Sequence, residues 1–329
     1  MTQFPKDIKV LVLDDYEDFA ASVPSYKKVK ARAQVTILRT RLASDAELAN
    51  ALRAVHILLP VRERTRLGDK ELALAPELKF ISQTGAGIGH LDLAAATRRG
   101  IAVCLTGREA PISTIELTVA LILSGLRRIP LVDRRMRTEA WPPIPGYLLN
   151  GRTVGIVGLG RIGGEVARLC LAFHAQVLAT GKTLTDERAR ATGVTRVTME
   201  ELFRESDVVT VHAKFNRETR GLIGEKEIGL MKRGAFLINT SRGPIVSEKA
   251  LVEALDGGRL GGVGLDVFDE EPLPFAHPFR RFDNAILLPH RGYATVEVLQ
   301  ERFERAMSNI ADYIDGKPLE LLNPEALTD

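Results

Sequence analysis

Cysteine is nearly absent from this chain, with two in 329 residues. Cys104 and Cys170 each lie inside an apolar segment, which excludes a disulfide scaffold and leads us to expect two buried free thiols. Long apolar runs are also missing. None approaches the ~20 residues of a membrane span, and the N-terminus shows neither an apolar h-region nor a cleavage site. The formal net charge is only +3, and no basic block stands out, so nucleic acid is not an expected partner. There is no short repeat and no low-complexity tract. His56, His90, His174, His212 and His277 show no metal-ligand spacing, and nothing resembles a zinc pattern. A G-x-S-x-G elbow and a Cys/His nucleophile motif are both lacking. These absences leave a cytoplasmic protein, without a membrane segment, and give no support to metal or covalent catalysis.

What is present is organised around Thr153–Gly163. A short apolar run with β-branched residues reads as a buried parallel strand. Gly158, Gly160 and Gly163 follow at G-x-G-x-x-G spacing, and Glu165–Cys170 continues at helical period. The first glycine allows a tight turn, the second lets the backbone approach a pyrophosphate, and the third lets the helix pack on the strand. A diphosphate would sit on the free N–H groups of the helix start, where the dipole favours negative charge. Alone, such a triplet can be a Gly-rich turn that binds nothing. Strand before, helix after and a second strand at Gln176–Thr180 make it a dinucleotide site.

With 329 residues there is room for two domains with their own cores. Strand-like runs at Ile8–Leu13, Val35–Leu38, Val55–Leu59, Leu78–Ile81 and Ile101–Cys104 alternate with helical stretches such as Ala46–Arg53, with Ser44 or Asp45 as N-cap, and Asp92–Arg99. This alternation implies a parallel doubly wound sheet. Ser113–Arg128 reads as one long helix, and Trp141–Gly146 as a proline-rich extended connector. A second alternation uses strands at Val154–Val157, Val177–Thr180, Asp207–Val211, Ala235–Asn239, Gly262–Asp266 and Ala285–Leu288. Val296–Ile314 closes the pattern as an amphipathic helix.

Five segments together resemble the D-isomer-specific 2-hydroxyacid dehydrogenase family: Gly158–Gly163, Asn239-Thr-Ser-Arg-Gly243, Gly264–Pro272, Pro289-His290 and the loop Gly85–Leu93. They cover nearly the whole chain, in order. The resemblance implies an α/β fold of two doubly wound parallel-sheet domains. A flavodoxin-like substrate domain would span 1–105 and be completed by 296–329, with an inserted Rossmann dinucleotide-binding domain at 106–295 and an active site at the hinge. It also implies a homodimer packed through the cofactor domain.

Hydride exchange between a nicotinamide ring and a 2-oxo acid needs a cation for the carboxylate, a donor to polarise the carbonyl and a group to move the hydroxyl proton. Arg242 follows the strand Ala235–Asn239 at its C-terminal end, where open α/β sheets place ligands, and its guanidinium fork suits a carboxylate. His290 follows the last strand and can give or take a proton near neutrality. Glu271 matches the family's acidic partner, which would fix the imidazole tautomer and favour imidazolium. Arg242, Glu271 and His290 are therefore the expected catalytic residues. The expected cofactor contacts are Gly158, Gly160, Arg161, Ile162, Gly163, Gly181, Lys182, Ala213, Thr240, Arg242, Asp266, His290 and Gly292. Arg62, Ala86 and Gly87, with Arg242 and His290, are expected to bind substrate. Arg62 reads equally as a solvated rim charge, and Asp266 could simply cap the turn after its strand.

Two features depart from the family pattern. Where many members end the second cofactor strand in Asp, this chain has Gly181 followed by Lys182, which would admit a 2′-phosphate. The expectation is NAD(P)(H) with a weak preference for NADPH. Lys214 and Arg291 occupy positions more often apolar or small. The reading is an oxidoreductase working between a D-2-hydroxy acid and its 2-oxo acid, in the manner of glyoxylate or hydroxypyruvate reductases or of phosphoglycerate dehydrogenases. Reduction of a small 2-oxo acid is the expected direction. The alternatives are a dinucleotide-sensing corepressor-like protein and a formate- or phosphite-type dehydrogenase on the same scaffold.

Overall fold

Short β-branched runs bounded by turn residues become strands, and the amphipathic stretches between them become helices, in a computed structural model that describes residues 7–107, 111–139 and 141–327. Two units separate, one of residues 1–110 with 295–329 and one of residues 111–294.

The first unit contains β1 (Ile8–Leu13), α1 (Pro24–Lys30), β2 (Ala33–Ile37), α2 (Asp45–Leu52), β3 (Ile57–Pro60), α3 (Asp69–Ala73), β4 (Phe80–Gln83), α4 (Leu93–Arg98) and β5 (Ala102–Leu105). The sheet order is β2-β1-β3-β4-β5, and the pairings are all parallel. Of the two expected N-caps of α2 it is Ser44 that forms, accepting from Glu47 N, and Asp92 caps α4 by accepting from Ala95 N. The helix Val296–Ile314 returns to this unit with the bounds its periodicity predicts. Its Tyr313 ring stacks on Phe80 at 4.1 Å, and its Glu304 carboxylate receives Ser25 N and Oγ at the start of α1. The expected boundary after residue 105 is the end of β5. Beyond it, Thr106 N donates to Gln83 O and Thr106 Oγ1 accepts from Gly85 N, and these bonds tie the next residues to the same unit.

The second unit contains α5 (Ile112–Leu126), α6 (Ile129–Met136), β6 (Thr153–Val157), α7 (Arg161–Ala172), β7 (Gln176–Thr180), α8 (Asp186–Ala191), β8 (Thr195–Arg196), α9 (Met199–Glu205), β9 (Val208–Val211), α10 (Glu225–Leu230), β10 (Phe236–Asn239), α11 (Glu248–Asp256), β11 (Gly262–Leu265) and β12 (Ala285–Leu287). Its parallel sheet runs β12-β11-β10-β9-β6-β7-β8. The order reverses direction between β6 and β9, which makes the ends of those two strands the topological switch point where such sheets bind ligands. β6, β9, β10 and β11 bury nearly every residue, as strands covered on both faces do.

The expected helix Ser113–Arg128 is α5, which stops at Leu126, beside the Gly125 and Pro130 that mark its end in the sequence. The helix α6 beyond it was missed. Arg128 takes a left-handed φ of 53°, and α6 starts with Pro130 in its first turn, where a proline fits without losing a bond. The two-residue β8 was also missed; it is too short to show an alternation. Trp141–Leu148 has no regular structure, as its prolines require.

Candidate active site

Within the second unit, the candidate residues converge because parallel strands point their carboxyl ends the same way. The glycine turn follows β6, Ala213 follows β9, Arg242 follows β10, Asp266 and Glu271 follow β11, and His290 follows β12. All five strands are consecutive in the sheet order.

Gly158 has φ 101°, a conformation closed to side chains, and a Cβ there would lie 2.7 Å from Ala213 N. The turn after β6 is thus packed on the chain leaving β9, at the switch point. Gly163 packs under the carbonyl of Gly158. Gly160 differs: as N-cap of α7, it has no protein atom within 4 Å of where a Cβ would stand. No packing need of the chain explains that glycine, whereas a backbone cradle for a diphosphate at a helix start does. Arg161 and Ile162 open the helix, the first exposed and the second half-buried. The residues present therefore fit a dinucleotide. Arg188, which sequence reading missed, braces this turn: its Nη2 donates to Leu159 O at 2.8 Å and its Nη1 to Thr183 O at 3.1 Å. Nothing in its spacing within α8 announces that role.

Gly181 follows β7 directly, and a Cβ there would meet nothing closer than 3.7 Å. Lys182 Nζ is not isolated, because it pairs with Glu218 Oε2 at 2.7 Å, both side chains being largely exposed. Lys182 holds the Glu218 carboxyl below its ordinary value. Glu218 is distant in sequence and carries no motif, so only folding reveals this counter-charge.

After β10, the Asn239 side chain clasps the turn from both sides, donating to Arg242 O at 3.0 Å and accepting from Ser241 N at 3.0 Å. Ser241 Oγ donates to Ala213 O, and Thr240 Oγ1 lies 2.9 Å from Thr118 Oγ1 of α5. The Arg242 guanidinium donates back to Ser241 O through Nη1. Such a bracketed turn holds the guanidinium near the Glu271 carboxylate, whose charge it helps to stabilise.

His290 also adopts a left-handed backbone, φ 54°. A non-glycine residue there stores strain that its surroundings must hold. Asp266 holds it. Its carbonyl accepts from His290 N at 2.9 Å, and its carboxylate accepts from Arg291 N at 2.6 Å and Gly292 N at 2.8 Å. Asp266 is 1% exposed, so its carboxylate serves first as the clamp of this turn, the turn-capping alternative of the sequence reading. Burial pushes its carboxyl up, against those two N–H groups and the His290 charge.

The imidazole Nδ1 of His290 lies 2.7 Å from Glu271 Oε2, while Glu271 Oε1 accepts from Phe268 N at 3.0 Å. Burial pushes the Glu271 carboxyl up. The His290 hydrogen bond and charge, the Phe268 N–H and Arg242 outweigh it and hold the group below its ordinary value. Nδ1 is thereby the nitrogen that faces the carboxylate. His212, by contrast, is a packed residue: burial pulls it down to about 4, and its Nε2 bonds Thr210 Oγ1 at 2.9 Å. Among the described residues no group of three or more His, Cys, Asp or Glu could hold a metal ion. Among them, too, no helix is long and apolar enough to cross a membrane.

In the first unit, Arg62 shows the same kind of strain, φ 64°, at the end of the strand region. Its N donates to Thr84 Oγ1 at 2.8 Å and its carbonyl accepts from Gln83 Nε2 at 2.8 Å, both partners being buried. Its guanidinium lies against Gly85, just before Ala86 and Gly87, which are exposed and half-buried. Lys214 is exposed where the chain leaves β9, and Arg291 is half-buried beside His290.

A dinucleotide cradle beside a bonded histidine–carboxylate pair and an arginine defines an oxidoreductase built on a Rossmann sheet. Residues 119–292 match the family model for the D-isomer specific 2-hydroxyacid dehydrogenase NAD binding domain. A glyoxylate reductase of Thermofilum pendens is 40% identical over 261 residues, 77% of each chain. A D-3-phosphoglycerate dehydrogenase of Archaeoglobus fulgidus is 39% identical over 88% of this chain but only 54% of its own length. The crystal structure of a phosphoglycerate oxidoreductase from Vibrio cholerae superposes with a TM-score of 0.88 at 28% identity, covering 94% of this chain and 99% of that one. The chain belongs to the D-isomer-specific 2-hydroxyacid dehydrogenase family.

Proposed function

We propose that this enzyme reduces a small 2-oxo acid of the glyoxylate or hydroxypyruvate kind to the D-2-hydroxy acid. The observation that carries the reading is the His290–Glu271 pair at 2.7 Å in the unit that also holds Arg242 and the dinucleotide cradle. A bound nicotinamide dinucleotide would supply the hydride, held by Gly158, Gly160, Arg161, Ile162, Gly163 and the backbone near Ala213, Thr240 and Gly292. Arg242 clamps the substrate carboxylate and polarises the adjoining carbonyl. His290, as imidazolium, gives its Nε2 proton to the nascent alkoxide, while Glu271 keeps Nδ1–H engaged and offsets the ring's charge. Arg62 and the backbone of Ala86 and Gly87 are assigned to the same substrate by resemblance. Glyoxylate, hydroxypyruvate, pyruvate and 3-phosphohydroxypyruvate, each tried with NADH and NADPH, test the reading. Turnover of none, with dinucleotide binding retained, would overturn it.

Arg242→Lys keeps the charge but loses the fork. The expected loss of kcat/KM is at least ~10-fold, roughly 1.4 kcal/mol of transition-state stabilisation. Near wild-type values would remove Arg242 from the substrate carboxylate.

For the cofactor we propose a modest preference for NADPH, because Gly181 supplies no carboxylate to repel a 2′-phosphate and Lys182 supplies a cation. Glu218 opposes it. Glu218→Gln should therefore raise the NADPH to NADH ratio of kcat/KM, by up to about fivefold, the scale of an exposed ion pair. Gly181→Asp with Lys182→Ala should lower it; the room around Gly181 lets the Asp in. A wild type favouring NADH by tenfold would sink the preference.

We also propose a cytoplasmic homodimer joined through the second unit. Ile129, Met136, Trp141 and Leu148 expose apolar surface there, and the free Cys104 and Cys170 are buried with their thiols pushed up to about 11 and about 12. Light scattering on the eluted protein checks the mass.

A further inference from the structure

A second carboxylate–histidine pair lies beyond the one assigned to catalysis. Glu248 is the first residue of α11, and its Oε1 accepts from Asp269 N at 2.9 Å. Its Oε2 lies 3.2 Å from His277 Nε2. His277 Nδ1 accepts from Phe279 N at 3.3 Å, so the ring proton sits on Nε2 and points at Glu248. Both side chains of the pair are 17% exposed. The His277 ring packs on Phe279, centroids 4.8 Å apart, and Phe279 is wholly buried and 6.4 Å from the Phe268 ring. A charged, half-buried carboxylate with both oxygens engaged, anchored on a helix start and on a buried aromatic, is a rigid fixture.

What it fixes matters. Phe268 N and Asp269 N are consecutive donors in one turn. The first goes to Glu271 and the second to Glu248. The position of the Phe268 N–H, and with it the direction of the Glu271 carboxylate toward His290, is therefore set by where Glu248 holds the next peptide. We infer that Glu248 and His277 are positioning residues for the proton-transfer pair, acting through the Phe268–Asp269 turn. The inference rests on the reading of His290 and Glu271 given above. Neither residue touches substrate or cofactor in this role. The Asp269 side chain beside them is held up by burial and by Glu248, against Arg220 and His277. That places it where a misaligned Glu248 would be felt at once.

The test compares Glu248→Ala, Glu248→Gln and His277→Asn with Glu271→Gln, using the full chain. The readouts are the pH profile of reductive kcat/KM, the Kd for reduced cofactor by fluorescence and Tm. Glu248→Ala should lower kcat by about 10-fold, the scale of a reacting group displaced by a fraction of an ångström. It should move the alkaline limb to lower pH, as Glu271→Gln does, with cofactor Kd unchanged within twofold. Glu248→Gln keeps an acceptor for Asp269 N and should recover most of the rate, and it guards against a misfolded Ala variant. His277→Asn should fall between the two. Combined with Glu271→Gln, Glu248→Ala should add little, since both act on one pair. If Glu271→Gln moves the profile and Glu248→Ala lowers Tm alone, the positioning role is wrong. If Glu271→Gln itself leaves the profile in place, the reading of the pair fails instead.

Discussion

Replacing His290 by Gln should leave reduced-cofactor binding intact and cut reduction of the 2-oxo acid by ~10² or more, the usual contribution of a general acid. Glutamine fills the volume and can still bond Glu271, but it has no proton to give at neutral pH. His290→Asn is a useful companion because Asn tolerates the left-handed backbone better than most residues, which separates lost chemistry from strain at φ 54°. The pH dependence follows from the pair. Glu271 sits below its ordinary carboxyl value, so it is charged across the neutral range. In the folded state its depressed titration stabilises the protein above the unfolded carboxyl value, and that contribution is lost as pH falls through the depressed one. Reduction needs the imidazolium and should decline as pH rises and the ring loses its proton, while oxidation gains in the same window. Glu271→Gln withdraws the negative charge that favours the cation, so the alkaline limb of reduction should shift to lower pH. Fluorescence titration and kcat/KM across the neutral and alkaline range check both. Retention of wild-type reduction by His290→Gln would remove the histidine from proton transfer.

Gly243→Ala should be nearly as damaging, although its side chain never meets substrate. A methyl there would run into the Phe268 carbonyl group and stand 2.6 Å from Asp269 N. Those atoms are backbone, and they cannot swing aside as a flexible side chain would. Gly243 follows Arg242, and Phe268 N holds Glu271. One methyl group would thus pry the carboxylate clamp from the partner of the acid. Overpacking of this kind costs about 1–3 kcal/mol of stability. Misplacement on the ångström scale should lower kcat/KM by ~10². Gly229→Ala in α10 is the control, because a Cβ there meets nothing within 4 Å. Equal activity in the two variants would show that the turns after β10 and β11 need not abut.

The glycine turn, Arg242, Glu271 and His290 were legible in the sequence because each is local. A turn, a strand end and a charged side chain leave their marks within a few residues, and parallel strands place all their carboxyl ends on one edge. Strand runs were legible for the same reason, though starts slipped by a residue or two where an apolar residue precedes the first ladder bond, as at Val55 before β3. The end of α5 was legible, since Gly125 and Pro130 mark it, but the short helix α6 that starts after the left-handed Arg128 was not.

What the chain by itself determined is the architecture and the set of candidate residues at the strand ends, because periodicity, glycine spacing and strand-end residues are properties of neighbouring positions. What only the tertiary structure decided are the partnerships between distant positions. Asp266 is a clamp on the His290 turn, Glu218 neutralises Lys182, Arg188 ties Leu159 to Thr183, and Glu248 with His277 steadies the turn behind Glu271. Each depends on groups remote in sequence meeting within about 3 Å, the length of a hydrogen bond. Only the folded sheet brings them that close.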